Sequence, residues 1–244
     1  LDGNSRGRPE KPRNREQWVG HIVGALAAAE CERSNLDAAA LAVNGYCGTL
    51  TRHFYNNICN FEDCRYLEIG SWNGASTVAA MVGNQMNLTC IDNFSQFNGR
   101  QSVFETNVRQ FKGDNNLSLV VGDCFAMDST IMGPFDVYLY DGAHSYESQY
   151  KAIEHFLATL APLSVVIIDD WNWDAVRTGT QDALRDLGVN VLYRKEIILP
   201  EVNDPKTDKH EPACDSWWNG ICILLIAASE SNSSVATNEP QARA

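Results

Sequence analysis

Residues 66–77 read Tyr-Leu-Glu-Ile-Gly-Ser-Trp-Asn-Gly-Ala-Ser-Thr. An apolar run, Tyr66–Ile69, passes into a turn that carries Gly70 and Gly74, and then into a segment with helical spacing, Ser76–Val82. Glycines let the backbone turn tightly and approach a ligand, and Ser76 or Thr77 is placed to cap the helix that follows. Strand, close turn and helix in that order open an α/β domain.

The alternation continues toward the C-terminus. Apolar runs recur at Leu88–Ile91, Leu117–Val121, Val137–Tyr140, Val165–Ile168, Val189–Ile198 and Ile221–Ala227. Those up to Ile168 are near-continuous, as strands buried on both faces should be. Helical spacing fills the gaps at Val103–Phe111, Ser145–Leu160 and Trp173–Leu187. This predicts a doubly wound α/β domain, a seven-stranded sheet with helices on both faces. The last two runs are joined by a polar, proline-containing loop, 200–216, which predicts an antiparallel hairpin at one edge. Ahead of the sheet, Trp18, Ile22, Ala25, Leu26 and Ala29 recur at helical spacing within Arg15–Cys31. A second helix is predicted over Leu50–Cys59, after the Asn44–Gly45 break. The expected organisation is a disordered lead (1–14), an N-terminal helical segment (15–60), the α/β domain (61–228) and a flexible tail (229–244).

The 244 residues carry 19 Lys and Arg against 31 Asp and Glu, a net charge of −12. A nucleic-acid partner needs a basic face to displace counterions, so none is expected. No apolar run approaches the ~18–20 residues that span a bilayer, so no membrane partner is expected either. A cytoplasmic location is the expected setting, with homo-oligomerisation left open. The eight cysteines form no C-x-x-C pair and several sit in apolar runs. They read as reduced structural thiols, although their even number leaves disulfides open.

Ligands of open α/β sheets bind beyond the carboxyl ends of the strands. Here those ends carry Glu68 and Gly70, then Asp92 about twenty residues on, then Asp123-Cys124, Asp141-Gly-Ala-His144, and Asp169-Asp170. An acidic side chain at the second strand end is placed to accept hydrogen bonds from ribose hydroxyls. Each residue also has a plainer role: Asp92 as a helix cap, Asp123 as a turn closer. In the right order and spacing, together they point to a nucleoside cofactor.

The stretch from Tyr66 to Thr77 resembles the first motif of class I S-adenosylmethionine-dependent methyltransferases, in the E-x-G-x-x-x-G-x-S form of catechol and caffeoyl-CoA O-methyltransferases. Trp72 stands where a middle glycine is common. Tyr138-Leu-Tyr-Asp-Gly-Ala-His and Val166-Ile-Ile-Asp-Asp-Trp resemble bacterial sugar and macrolide O-methyltransferases that use magnesium. The resemblance runs from about Leu50 to Ala228 and implies a Rossmann-like methyltransferase sheet. It implies a cofactor site formed by Glu68, Gly70, Ser71, Trp72, Gly74 and Ser76 at the methionine end. Asp92 with Asn93 would lie at the ribose, Asp123 and Cys124 beside the adenine, and Asp141 at the edge.

The family sheet order sets the fourth and fifth strands side by side, about 4.8 Å apart. Asp141, Asp169 and Asp170 would then converge. Two carboxylates about 4 Å apart repel by about 4 kcal/mol at an effective dielectric near 20, so three call for a cation. An all-oxygen set suits Mg2+. The alternative is that Asp169 or Asp170 caps the next helix and Asp141 alone faces the pocket. His144, where catechol-type enzymes carry lysine, is the candidate base, with Asp141 beside it. The expected reaction is divalent-metal-assisted O-methylation of a small-molecule hydroxyl. The alternatives are metal-independent N- or C-methylation and a non-catalytic binding module. Trp171, Trp173, Trp217 and Trp218 are candidates for an aromatic wall, with simple core packing as the plainer role, and the polar groups of 51–57 read as a solvated helix face, with contact to the ligand as the alternative.

Overall fold

The computed structural model describes residues 8–200 and 216–227. In it the apolar runs are strands: β1 (Cys64–Ile69), β2 (Met86–Asp92), β3 (Asn116–Val121), β4 (Phe135–Tyr140), β5 (Leu160–Ile168), β6 (Asn190–Ile197) and β7 (Ile221–Ala227). The helices are α1 (Arg15–Glu30), α2 (Ala38–Leu41), α3 (Thr49–Ile58), α4 (Ala75–Met81), α5 (Gln101–Phe111), α6 (Tyr146–Phe156) and α7 (Asp174–Asp186). The sheet order is β3-β2-β1-β4-β5-β7-β6. β1 to β5 are parallel, and β7 runs antiparallel between β5 and β6. This is the Rossmann-like methyltransferase sheet, with its antiparallel hairpin at one edge.

Alternate side chains on each strand feed two separate cores. Tyr66, Leu88, Val137, Val165 and Ile223 pack under α1, α3, α4 and α5, while Leu67, Ile91, Tyr138, Val166 and Leu224 pack under α6 and α7. Each buried aliphatic side chain contributes roughly 1.5–3 kcal/mol, so the fully covered β4 and β7 carry much of the fold. β3 departs from the expectation of burial on both faces. It is an edge strand, and Val121 is half exposed.

Residues 8–14 are not the disordered lead expected of them. They strap the sheet at the N-terminal ends of β1 and β4. Glu62 N donates to Pro9 O (2.9 Å), Arg8 Nη1 to Gln85 Oε1 (2.7 Å), and Lys11 pairs with Asp136. Asp136 is fully buried and also takes a two-pronged contact from Arg65, at 2.8 and 3.1 Å. Residues 1–7, most of the predicted 200–216 loop with Cys214, and the expected tail lie outside the described residues.

The solvated face expected over 51–57 is also absent, because α3 is buried nearly throughout. Asn56 and Arg52 find backbone carbonyls instead of water, whereas His53 and Tyr55 pair with the side chains of Ser34 and Asp169. Asn56 Nδ2 donates to Ala79 O and Val82 O, both at 2.8 Å, which locks α3 to α4. Arg52 is completely buried and donates to the carbonyls of Leu41, Val43, Gly45 and Cys47. The seven described cysteines are free thiols, five of them buried. No helix among the described residues is long and apolar enough to cross a membrane.

Candidate active site

Backbone pairing continues one row past the strands. Gly70 N donates to Ile91 O (3.0 Å), Gly122 N to Asp92 O (3.1 Å), Asp141 N to Ile69 O (2.9 Å) and Asp169 N to Tyr140 O (3.1 Å). These bonds bring the loops of five strands to the rim of one cleft of about 360 Å³. Of the expected site residues, Gly70, Trp72, Asp92, Asn93, Asp123, Cys124, Asp141, His144 and Asp170 line it. Glu68, Ser71, Gly74, Ser76 and Asp169 do not.

The loop after β1 explains that division. Gly70 has φ +89°, and a Cβ there would stand 1.9 Å from the carbonyl oxygen of Asp141, so no larger residue fits between the loops. Trp72, also left-handed at φ 41°, donates its N–H to Asp92 Oδ2 at 2.7 Å. Asp92 Oδ1 accepts from Phe94 N at 2.5 Å, so this carboxylate joins two loops and caps no helix. Gly74, in left-handed geometry, is the N-cap of α4.

Ser76 and Thr77 do not cap α4. Both hydroxyls donate to Glu68 at 2.8 Å, and Tyr66 OH donates to it at 2.9 Å. Glu68 is therefore not a cleft residue as expected, because these donors hold it beneath the loop. Burial raises its pKa, and the hydroxyls partly offset that rise.

Across the cleft, Asp123 caps a 3-10 turn over Cys124–Ala126 by accepting from Phe125 N at 3.0 Å. Burial, then the charge of Asp123, pushes the Cys124 thiol up to about 12. Aromatic side chains close the mouth, although the expected wall holds only in part. Trp173 and Trp218 line the cleft, whereas Trp171 and Trp217 are buried in the core. Tyr46 and Phe97 complete the wall and went unread in the sequence. Tyr46 stacks on Trp72 with centroids 4.6 Å apart, and Phe97 lies 5.5 Å from Tyr46. The loop carrying Tyr46 is the one Arg52 gathers, and Gly45 and Gly48 on either side of Tyr46 were its only local signal.

The loops after β4 and β5 bring acidic groups together, in a different set from the one expected. One ligand atom each from Asp141, His144 and Asp170 lies within 4.8 Å of the others. His144 Nε2 is 2.8 Å from Asp170 Oδ2, an ion-pair contact outside hydrogen-bond angles, and 3.7 Å from Asp141 Oδ1. Asp169 is turned away from this trio. Its Oδ2 accepts from Tyr55 OH at 3.2 Å and its Oδ1 from Asp170 N at 2.9 Å. Asp170 has φ +53°, and this left-handed residue separates the directions of the two neighbouring side chains. Neither aspartate caps α7, whose N-cap is Trp173.

Burial raises Asp141 to about 7, with the charge of Asp170 adding to the rise and His144 opposing it. Asp169 is raised well above the carboxylate range by burial, then by the charges of Asp141 and Asp170. For His144, burial works to lower the pKa, but Asp141 and Asp170 outweigh it and raise the group to about 10. The two carboxylates thus favour the protonated form of the ring expected as a base. The donors still fit a divalent ion: two carboxylates converge with a third ligand, and Asp170 Oδ1 is buried with no partner.

Residues 67–171 match the family model described as a methyltransferase domain. No curated protein matches the chain by sequence. Among solved structures, an O-methyltransferase from Bacillus cereus in complex with SAH is 14% identical, with 88% of this chain and 92% of that one covered and a TM-score of 0.50. The O-methyltransferase TomG from Streptomyces achromogenes, involved in tomaymycin synthesis and in complex with SAM, is 15% identical over 88% and 99% of the two chains, with a TM-score of 0.50. TrmN from Thermus thermophilus is 10% identical over 78% of this chain and 52% of that one, with a TM-score of 0.52. At these identities the likeness is one of fold. The family match covers the second half of β1, all of β2 to β5 and the loops that rim the cleft, so it is this part of the chain that is similar to a methyltransferase domain.

Proposed function

We propose that the cleft transfers the methyl group of S-adenosylmethionine to an oxygen of a small-molecule acceptor, with a divalent cation held at Asp141 and Asp170. The observation that carries this reading is the Asp141–Asp170 pair, in which one buried oxygen of Asp170 is left without a partner at the rim of a nucleoside-sized cleft. O-methyltransferases with SAH or SAM bound share the fold, which supports both the cofactor and the acceptor atom.

The chain's residues divide the work by position. Asp92, aimed by two backbone N–H groups, accepts from the ribose hydroxyls. Asn93 flanks it, and Asp123 and Cys124 border the adenine. Gly70 and Trp72 lie along the methionine end, with Ser71 buried between them, and Gly70 lets the backbone close against Asp141. Glu68, Gly74 and Ser76 support that loop from beneath. Tyr46, Trp173 and Trp218 flank the acceptor and exclude water. Methyl transfer is an in-line displacement, so holding the acceptor oxygen behind the methyl carbon supplies much of the rate. A divalent ion, Mg2+ on the sequence reading, would supply charge that stabilises the acceptor's alkoxide. The acidic chain and the small cleft favour a small acceptor over a nucleic acid.

A second reading, metal-independent N- or C-methylation, is favoured by His144, whose ring already lies against the two carboxylates that a cation would bridge. The test is calorimetric titration of S-adenosylhomocysteine into the chain, followed by an acceptor screen with and without EDTA. Binding with EDTA-sensitive turnover supports the first reading, and EDTA-insensitive turnover selects the second. Absence of S-adenosylhomocysteine binding would sink both.

A further inference from the structure

We propose that the divalent ion is held through a nitrogen: His144 Nε2, Asp141 and Asp170 are its ligands, and Asp169 is a positioning residue that does not touch it. This rests on the metal-assisted reading above and replaces the all-aspartate set implied by the sequence.

Four observations carry it. The three ligand atoms lie within 4.8 Å of one another. Metal–ligand bonds of about 2.0–2.2 Å span up to about 4.4 Å across an ion, so the set closes on one with shifts of a few tenths of an ångström. The His144–Asp170 contact, 2.8 Å but off-angle, leaves the nitrogen pointing elsewhere than at its carboxylate neighbour. Asp170 Oδ1 is buried and unpartnered, on a residue only 7% exposed, and a buried oxygen in that state is costly until it gains a donor or an ion. Both oxygens of Asp169, in contrast, are engaged with Tyr55 and the Asp170 backbone, and its neighbour's left-handed φ keeps it facing inward.

The ligand chemistry has a consequence for the ion. Mg2+ is bound by oxygen and demands near-ideal octahedral geometry, whereas an imidazole suits first-row transition ions. The site should therefore bind Mn2+, Ni2+ or Zn2+ in preference to Mg2+. The Trp173 ring packs beside His144, with centroids 5.1 Å apart, and limits the space in which the imidazole can turn.

The test uses the full chain, stripped of metal with EDTA and dialysed, and titrated calorimetrically with MnCl2, NiCl2 or MgCl2. His144→Ala and Asp169→Asn are titrated alongside it. S-adenosylhomocysteine binding and thermal melting of every variant serve as checks on folding. The expected result is one Mn2+ or Ni2+ site, weaker for Mg2+, with affinity lost by more than about tenfold in His144→Ala and by less in Asp169→Asn. Pulsed electron paramagnetic resonance of the Mn2+ form should show 14N modulation that disappears in His144→Ala. The reverse order of the two variants, or Mn2+ bound without 14N modulation, overturns the nitrogen ligand and restores the oxygen set. Binding of S-adenosylhomocysteine without any of the three ions overturns the site while leaving the methyltransferase intact. Failure of both titrations removes this inference together with the reading on which it rests.

Discussion

On the β1–β2 side of the cleft, Glu68 and Asp92 each sit among donors from their own loops: three hydroxyls for the first, two backbone N–H groups for the second. On the β4–β5 side, Asp141 and Asp170 face one another across a single histidine, and one oxygen of Asp170 has no partner. Both sides bury negative charge in the same sheet, yet only one satisfies it internally. A carboxylate surrounded by donors is organised before any ligand arrives, and here it sets loop geometry. A carboxylate pair short of donors is organised for something still to come. On the proposed reading, the first half of the cleft holds a ligand and the second receives a charge.

The contrast can be broken at its hinge. Gly70→Ala would drive a Cβ into the Asp141 carbonyl and force a left-handed φ on alanine. We expect at least about 3 kcal/mol of lost stability and loss of S-adenosylhomocysteine binding. A thermal melt should fall by on the order of 10 °C. An unchanged melt would show that the two halves are not wedged together.

Asp170→Asn tests the receiving half alone. Turnover should drop roughly 10²–10³-fold while S-adenosylhomocysteine affinity stays within about threefold, as read by steady-state kinetics and calorimetry. Asp92→Ala tests the holding half. It should weaken S-adenosylhomocysteine about 10–100-fold, the worth of a charge-assisted hydrogen bond. Equal affinity in wild type and variant would remove Asp92 from the ribose.

Glu68→Gln should have the smallest effect, about 1 kcal/mol in urea unfolding. It also carries a pH signature. Burial raises the Glu68 pKa, so the native state holds that proton more tightly than the unfolded chain does. Wild-type stability attributable to Glu68 therefore declines as pH rises from the ordinary carboxylate range through its raised native value, then levels off. The variant should lack that decline. Parallel urea midpoints across the range would show that Glu68 does not titrate as described.

The strands and the acidic residues at their ends were legible because both rest on local pattern: apolar runs of strand length, and polar residues immediately after them. Trp72, Asp92, Asp123, Asp141 and Asp170 fell at the cleft on that basis. Asp169 and Asp170 were not separable, since both follow β5. What parts them is the left-handed φ of Asp170, set where Asp169 N pairs with Tyr140 O and Trp171 N with Gly220 O. Arg52 and its neighbours were misread for a related reason. A run of polar residues looks solvated unless the carbonyls that will receive its protons are known, and those of Arg52 come from a loop with no periodicity of its own. Residues 8–14 were misread likewise, because Asp136, the partner of Lys11, lies far along the chain.

The direction of β7 decides which of its two ends meets the cleft. Because it runs against β5, the residues before it, Trp218 and Asn219, arrive at the cleft, and its last residue, Ala227, lies at the far end of the sheet. Seven residues at about 3.3 Å each move the chain roughly 20 Å, to the face where the 8–14 strap lies. A fluorophore or fused domain attached after Ala227 would thus start on the face opposite the cofactor. A single insertion between Ser216 and Ile221 would instead shift the aromatic wall and the ion-binding edge together.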